Sequence, residues 1–98
     1  MVHVMVRHKV ADYVRWKEAF DGHLSARKAA GEVGNRVLLS VDDPHEVTLL
    51  LDWDSLERAR RFAKSDDLKQ KMQQSGVVGD PDVSFLEDAY VVRRSAAD

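Results

Sequence analysis

Apolar and polar residues alternate at the start of the chain. Val2, Val4, Val6 and Val10 are interleaved with His3, Met5, Arg7 and Lys9, a period of two that predicts a half-buried strand with His8 on the valine side. The period then changes. From Val10 to Gly31, at 100° per residue, Tyr13, Trp16, Phe20, Leu24 and Gly31 fall on one side of a helical wheel, and Arg15, Glu18, Gly22, Ser25 and Ala26 fall opposite. One amphipathic helix is expected there, with Asp12 as N-cap and Gly31 as its C′ stop. Arg36–Val41 reads as a second strand and Val47–Trp53 as a third. They are joined by a turn over 42–46, in which Pro44 sets φ and the aspartates cap local amides. Asp54 or Ser55 caps a second helix with Leu56, Ala59, Phe62 and Ala63 on one face. Ser65-Asp66-Asp67 is a further capping signal, at which this helix kinks or restarts before continuing through Leu68 and Met72 to Gly76. Gly79-Asp80-Pro81 reads as a loop, Val83 to Arg93 as strand four and Ser95 to Asp98 as a short flexible tail.

The order βαββαβ predicts an α+β, ferredoxin-like domain spanning residues 1–98, with a four-stranded antiparallel sheet in spatial order 4-1-3-2 and both helices on one face. Val2, Val4, Val6, Val37, Leu39, Val41, Val47, Leu49, Leu51 and Trp53 supply the face under the helices. The other face carries His3, Met5, Arg7, Leu38, Ser40, Thr48, Leu50 and Asp52, with Leu86 and Tyr90 or their neighbours. That second face is too apolar for full solvation. A second copy packed on it, giving a dimeric α/β barrel, is expected; a half-wet antiparallel sheet is the alternative.

Composition narrows the class of partner. A chain of 98 residues, 44% hydrophobic and 33% charged with formal net charge -2, is long enough for one core and carries no attraction for nucleic acid or an anionic membrane. The basic run Arg58-Ala59-Arg60-Arg61 is bracketed by Asp54, Glu57, Asp66 and Asp67 and reads as a solvated helix face. Cysteine is absent, which removes thiol catalysis and zinc–thiolate sites and fits a cytoplasmic protein. No apolar run approaches the roughly 18 residues of a membrane span. The four histidines share no short metal-binding spacing, so no metal is expected.

With these elements placed, the chain resembles the dimeric α/β-barrel superfamily, and within it the antibiotic-biosynthesis-monooxygenase-like and small "cyclase"-type proteins. The likeness is carried by His8-Lys9-Val10, Asp12-Tyr13, Trp16, Phe20-Asp21, His23, Arg27, Gly31, the turn Asp42-Asp43-Pro44, and Ser65 with Leu68, Met72 and Gly76, over residues 3 to 88. It implies a homodimer and, by the habit of the superfamily, a cofactor-free oxygenase, cyclase or isomerase acting on an aromatic or polyketide-like compound. Haem-degrading members have a haem-ligating His in the second helix, where Asp67 stands here, and an Asn in strand one, which is absent here. That chemistry is not expected, and neither is the Asn–Trp pairing of the quinone-forming oxygenases.

The residues left over define a candidate site. Arg27, His23 and Trp53 are expected to converge between helices and sheet, where Arg27 would clamp a ligand anion, Trp53 would stack on it and His23 would move a proton. Trp16, Phe20 and Phe62 would line the same place or simply fill the core. The structural alternative is an ion pair of Arg27 with Glu57 or Asp54 and a half-exposed His23. His8 either lines a cavity, as a second acid or base, or hydrogen-bonds a backbone carbonyl. His3 and Asp52 are expected as cross-strand neighbours on the open face, and His45 as a solvated turn residue. A cavity above roughly 300 Å³ with unpaired polar groups would favour an enzyme. A packed layer with Arg27 paired to an acid would favour a non-catalytic dimer that binds a small ligand or serves a stress-related role.

Overall fold

The computed structural model describes residues 1–94; the tail read over 95–98 lies outside the described residues. The elements in chain order are β1 (Val2–Val10), α1 (Tyr13–Gly22), α2 (Leu24–Ala30), β2 (Glu32–Leu39), β3 (Glu46–Trp53), α3 (Leu56–Ala63), α4 (Asp66–Gln74) and β4 (Val77–Glu87). The sheet is antiparallel throughout, in the order β2-β3-β1-β4. This is the expected 4-1-3-2 arrangement.

Three of the four helices start on a side-chain cap. Asp12 accepts from the backbone N–H groups of Val14 and Arg15, Ser55 from that of Arg58, and Ser65 from that of Leu68, each satisfying amides that an α-helix start leaves open. The Ser65 cap makes the expected restart a full break between α3 and α4. The first helix also breaks, which the wheel does not show. His23 stands between α1 and α2 with φ -93° and ψ 5°, its N–H shared between the carbonyls of Ala19 and Phe20. The break turns Leu24, expected on the buried side, outward, and His23 inward. Gly31 then ends α2 at φ 125°, a conformation that L side chains avoid; a Cβ there would also sit 2.7 Å from an Asp54 carboxylate oxygen.

Two strands differ from the expected bounds. β2 begins at Glu32, four residues before Arg36, and contains an irregularity: Glu32 pairs with Trp53 but Gly34 with Asp52. The extra residue, Val33, reverses the in–out alternation, so Glu32 faces the helices together with Trp53. β4 runs from Val77 straight through Gly79-Asp80-Pro81, which is therefore not a loop. Pro81 is tolerated because β4 is an edge strand, paired only to β1 and with a register shift beside Arg7 and Lys9. The strand stops at Glu87, leaving Tyr90 beyond the sheet rather than on its open face.

Val4, Val6, Val10, Trp16, Val47, Leu49, Leu51, Trp53, Ala59 and Phe62 form the core between sheet and helices. Leu39 and Val41 do not join it: Leu39 lies at the outer end of edge strand β2 and Val41 in the connection beyond it, 98% exposed. Apart from Tyr90 and Ser40, which lie beyond the strand ends, the open face carries the expected set, with Met5 and Leu50 half-buried at its centre and Leu38 and Leu86 exposed. None of the described helices is long and apolar enough to cross a membrane.

Candidate functional site

A narrow cleft with about 60 Å³ of free space lies between the sheet, α1 and the α3–α4 pair. At roughly 15 Å³ for each water this is room for about four waters, comparable to one aromatic ring and well short of a polycyclic ligand. Valines and leucines of β1 and β3 form its floor. Trp16 and Phe20, stacked at 5.1 Å with their planes 21° apart, form one wall, and Phe62 with Leu68 and Met72 the other.

The structure brings His8, His23, Arg27, Trp16, Phe20 and Phe62 together around this cleft. Trp53 is not on its wall. The indole is 1% exposed and packs behind Phe62 at 4.9 Å, so the space opens beside Phe62 and Trp16 rather than beside Trp53. The Trp53 Nε1–H is fully enclosed and has no hydrogen-bond partner among the described residues.

Arg27 is 3% exposed and its charge is compensated by neither of the expected acids. Its Nε–H donates to Glu32 Oε1 at 2.9 Å, a second N–H donates to the Phe20 carbonyl at the helix break, and the guanidinium carbon stands 3.7 Å from the Phe20 ring centroid. Glu57 and Asp54 are taken instead by Arg61 and Arg58, each at i,i+4 spacing on α3 or at its entry. Glu32 is the residue missed from the sequence. Its only trace there is a carboxylate just past the Gly31 stop, and alternation alone, without the bulge at Val33, would have turned it outward.

His23 is buried rather than half-exposed, and its Nε2–H donates to Asp67 Oδ2 at 2.7 Å. Asp67 is in the first turn of α4, so this bond ties α4 to the α1–α2 break across one end of the cleft. His45 is exposed in its turn, as expected, and its ring Nδ1–H donates to the Val10 carbonyl at 3.1 Å.

His8 is the exception among these side chains. The imidazole lines the cleft, is 5% exposed, meets the Trp16 ring edge-on at 5.6 Å, and its Nδ1 has no hydrogen-bond partner on any other described residue. His8 thus stands on the cavity wall, with no hydrogen bond to the carbonyl of another described residue. Burial disfavours the charged ring and lowers its pKa from the usual histidine value, against a weaker opposing hydrogen bond of its own backbone. Nδ1 itself is enclosed by protein atoms, so only the other ring nitrogen is left to meet a ligand in the cleft.

Comparison with solved structures defines the fold to which this cleft belongs. A SnoaB variant, a cofactor-independent oxygenase from Streptomyces nogalater, superposes with a TM-score of 0.72 at 13% identity, covering 95% of this chain and 97% of that one. The chain has the antibiotic biosynthesis monooxygenase fold. An antibiotic biosynthesis monooxygenase structure matches at TM-score 0.69 and 7% identity over 92% of this chain and 100% of that one. A protein from Nitrosomonas europaea classed with the antibiotic biosynthesis monooxygenases matches at 0.67 and 17% over the same shares. No protein-family model and no curated protein matches the sequence. At these identities the likeness is one of monooxygenase fold, and the site has to be read from its own residues.

Proposed function

We propose that this chain is a cofactor-free small-molecule enzyme of the oxygenase, cyclase or isomerase kind, acting on a single-ring aromatic compound in the cleft with His8 as general base. The observation that carries the reading is the His8 imidazole on the cleft wall: packed edge-on against Trp16, kept toward its neutral form by burial, and with no other described residue bonded to its enclosed Nδ1, so that Nδ1 holds the proton and Nε2 is the basic nitrogen. A purely structural buried histidine is normally hydrogen-bonded, because an unsatisfied polar atom costs about 1–3 kcal/mol. Removing a phenolic or enolic proton here would leave an electron-rich anion held between Trp16, Phe20 and Phe62. With dioxygen as co-substrate that anion is the species a cofactor-independent oxygenase oxidises; without it, the same step serves cyclisation or isomerisation. Arg27, engaged by Glu32 and the Phe20 carbonyl, acts in this reading by fixing the wall on which Phe20 stands. His23 with Asp67 holds α4 in place over the cleft.

A homodimer belongs to the same proposal, the second copy covering Met5, Leu38, Leu50 and Leu86 on the open sheet face, as does a cytoplasmic setting. The second reading, a non-catalytic dimer binding a small ligand, is favoured by two observations: the cleft, at about 60 Å³, is smaller than the roughly 300 Å³ expected of an enzyme pocket, and Arg27 and His23 already have their own carboxylates.

The test is turnover of hydroxylated single-ring aromatics under air, followed by oxygen uptake and product chromatography. His8→Ala is expected to lower the rate by about 10²–10⁴-fold, the usual contribution of a general base. Equal turnover by the variant would remove His8 from the chemistry. Binding of these compounds without any turnover would establish the second reading in place of the first.

A further inference from the structure

The cleft wall is chemically one-sided. Among the described residues every ionisable side chain on it, His8, His23, Arg27 and Lys71, is basic, and no carboxylate lines it. Two of the four are compensated from behind, Arg27 by Glu32 and His23 by Asp67, and His8 is neutral for the reason given above. Lys71 differs: it makes no ion pair among the described residues. It shares one face of α4 with Leu68, Met72 and Ser75, all on the cleft wall, and is exposed overall. A lysine so placed lays its aliphatic stem along the apolar opening and keeps its ammonium at the mouth, where the C-terminal end of α4 also favours positive charge.

We infer that the cleft takes a single-ring aromatic carboxylate, with the ring against Trp16, Phe20 and Phe62 and the carboxylate at the Lys71 ammonium. The inference rests on the cleft being a ligand site, and it names the class of ligand. An apolar slot of one-ring size with a single uncompensated cation at its mouth binds a neutral ring by burial alone and gains an ion pair from an anion. A cationic ring meets the same ammonium and is rejected. Without a facing carboxylate, Lys71 discriminates by sign of charge, not only by size.

Nuclear magnetic resonance titration of the full chain with benzoate and with benzamide, at low salt and neutral pH, separates the two contributions. The probes have the same ring and differ in charge, and the His8 ring and Trp16 indole signals report where they bind. Both are expected to move those signals, with benzoate about fivefold tighter, the upper range for a partly exposed ion pair. Lys71→Gln should bring benzoate to the benzamide affinity, while Lys69→Gln, two residues away on the exposed part of α4, should keep the fivefold preference. Equal binding of the two probes, a preference that survives Lys71→Gln, or shifts confined to other parts of the molecule would overturn the inference. Benzamide bound at His8 with no benzoate preference removes the anion from the picture and leaves the enzyme reading standing. A Lys71-dependent preference in a chain with no turnover supports the inference and removes the enzyme.

Discussion

His3 and His8 sit five residues apart on the same strand and face opposite sides of the sheet. The sheet treats them in opposite ways. His8, on the helix side, is enclosed by apolar groups, lacks a partner at Nδ1, and is held neutral by burial. His3, on the open side, lies between two carboxylates, its Nδ1 against Asp52 and its Nε2 2.7 Å from Asp88. An imidazole that meets an acceptor at each nitrogen needs both N–H groups, and so its charge. The Asp88 hydrogen bond is the largest influence raising its pKa, ahead of the opposing effect of partial burial and of the Asp52 bond. Asp88 is correspondingly held below the usual carboxylate range, chiefly by His3. One strand thus presents a histidine shifted toward its neutral form on one face and a histidine shifted toward its charged form on the other. What separates them is the availability of acceptors, not residue type.

The sharpest way to break this contrast is to remove an acceptor from the helix side. Glu32→Ala leaves the Arg27 guanidinium buried without its carboxylate, and a loss of about 3–5 kcal/mol is expected in urea unfolding, the typical effect of breaking a buried pair. Arg27→Ala should behave similarly, so a ligand-binding defect in that variant would report unfolding rather than a lost contact. On the open face, the next largest effect is expected from Leu50→Lys. A lysine at the centre of an interface between two copies should shift sedimentation from dimer to monomer; an unchanged profile would mean that this face is not where copies meet.

The smallest and most specific effect is the pH response of the two rings. His3 stabilises the fold where it is charged: its contribution is complete below the unfolded value near 6.5 and is lost as pH rises through its higher folded pKa. His8 acts in reverse. The fold loses stability as pH falls from about 6.5 through the lower folded pKa, because an apolar cleft resists the charge. Ring-proton titration should give two midpoints on opposite sides of 6.5, and coincident midpoints would dissolve the comparison. His3→Gln should abolish the loss of stability on the alkaline side and leave the acid-side loss in place.

Much of the site was legible before folding was considered. Trp16, Phe20 and Arg27 recur at helical spacing, and period two puts His8 on the valine side of β1, so their gathering in one layer follows from local periodicity, whereas His23 is turned into it by the break between α1 and α2. The pairing of His3 with Asp52 follows from strand order and register. Glu32 could not be found this way. Its inward orientation depends on the irregularity between Glu32 and Gly34, and a bulge arises from how β2 meets β3, not from residues adjacent to Glu32. The position of Trp53 is a similar case: its face was correct, but its distance from the cleft is set by Phe62, which stands between. The Gly79-Asp80-Pro81 turn signal was overridden because β4 occupies a sheet edge, where a missing N–H is harmless.

Sequence alone therefore determined the fold class, the strand order and the division of the sheet into a helix-covered face and an open one, because these follow from periodicity, caps and chain connectivity. Which acid compensates Arg27, which histidine is left without a partner and how large the cleft is were decided only by tertiary structure. Each depends on a contact between residues far apart in the chain, and such contacts are set by packing and register rather than by any local pattern.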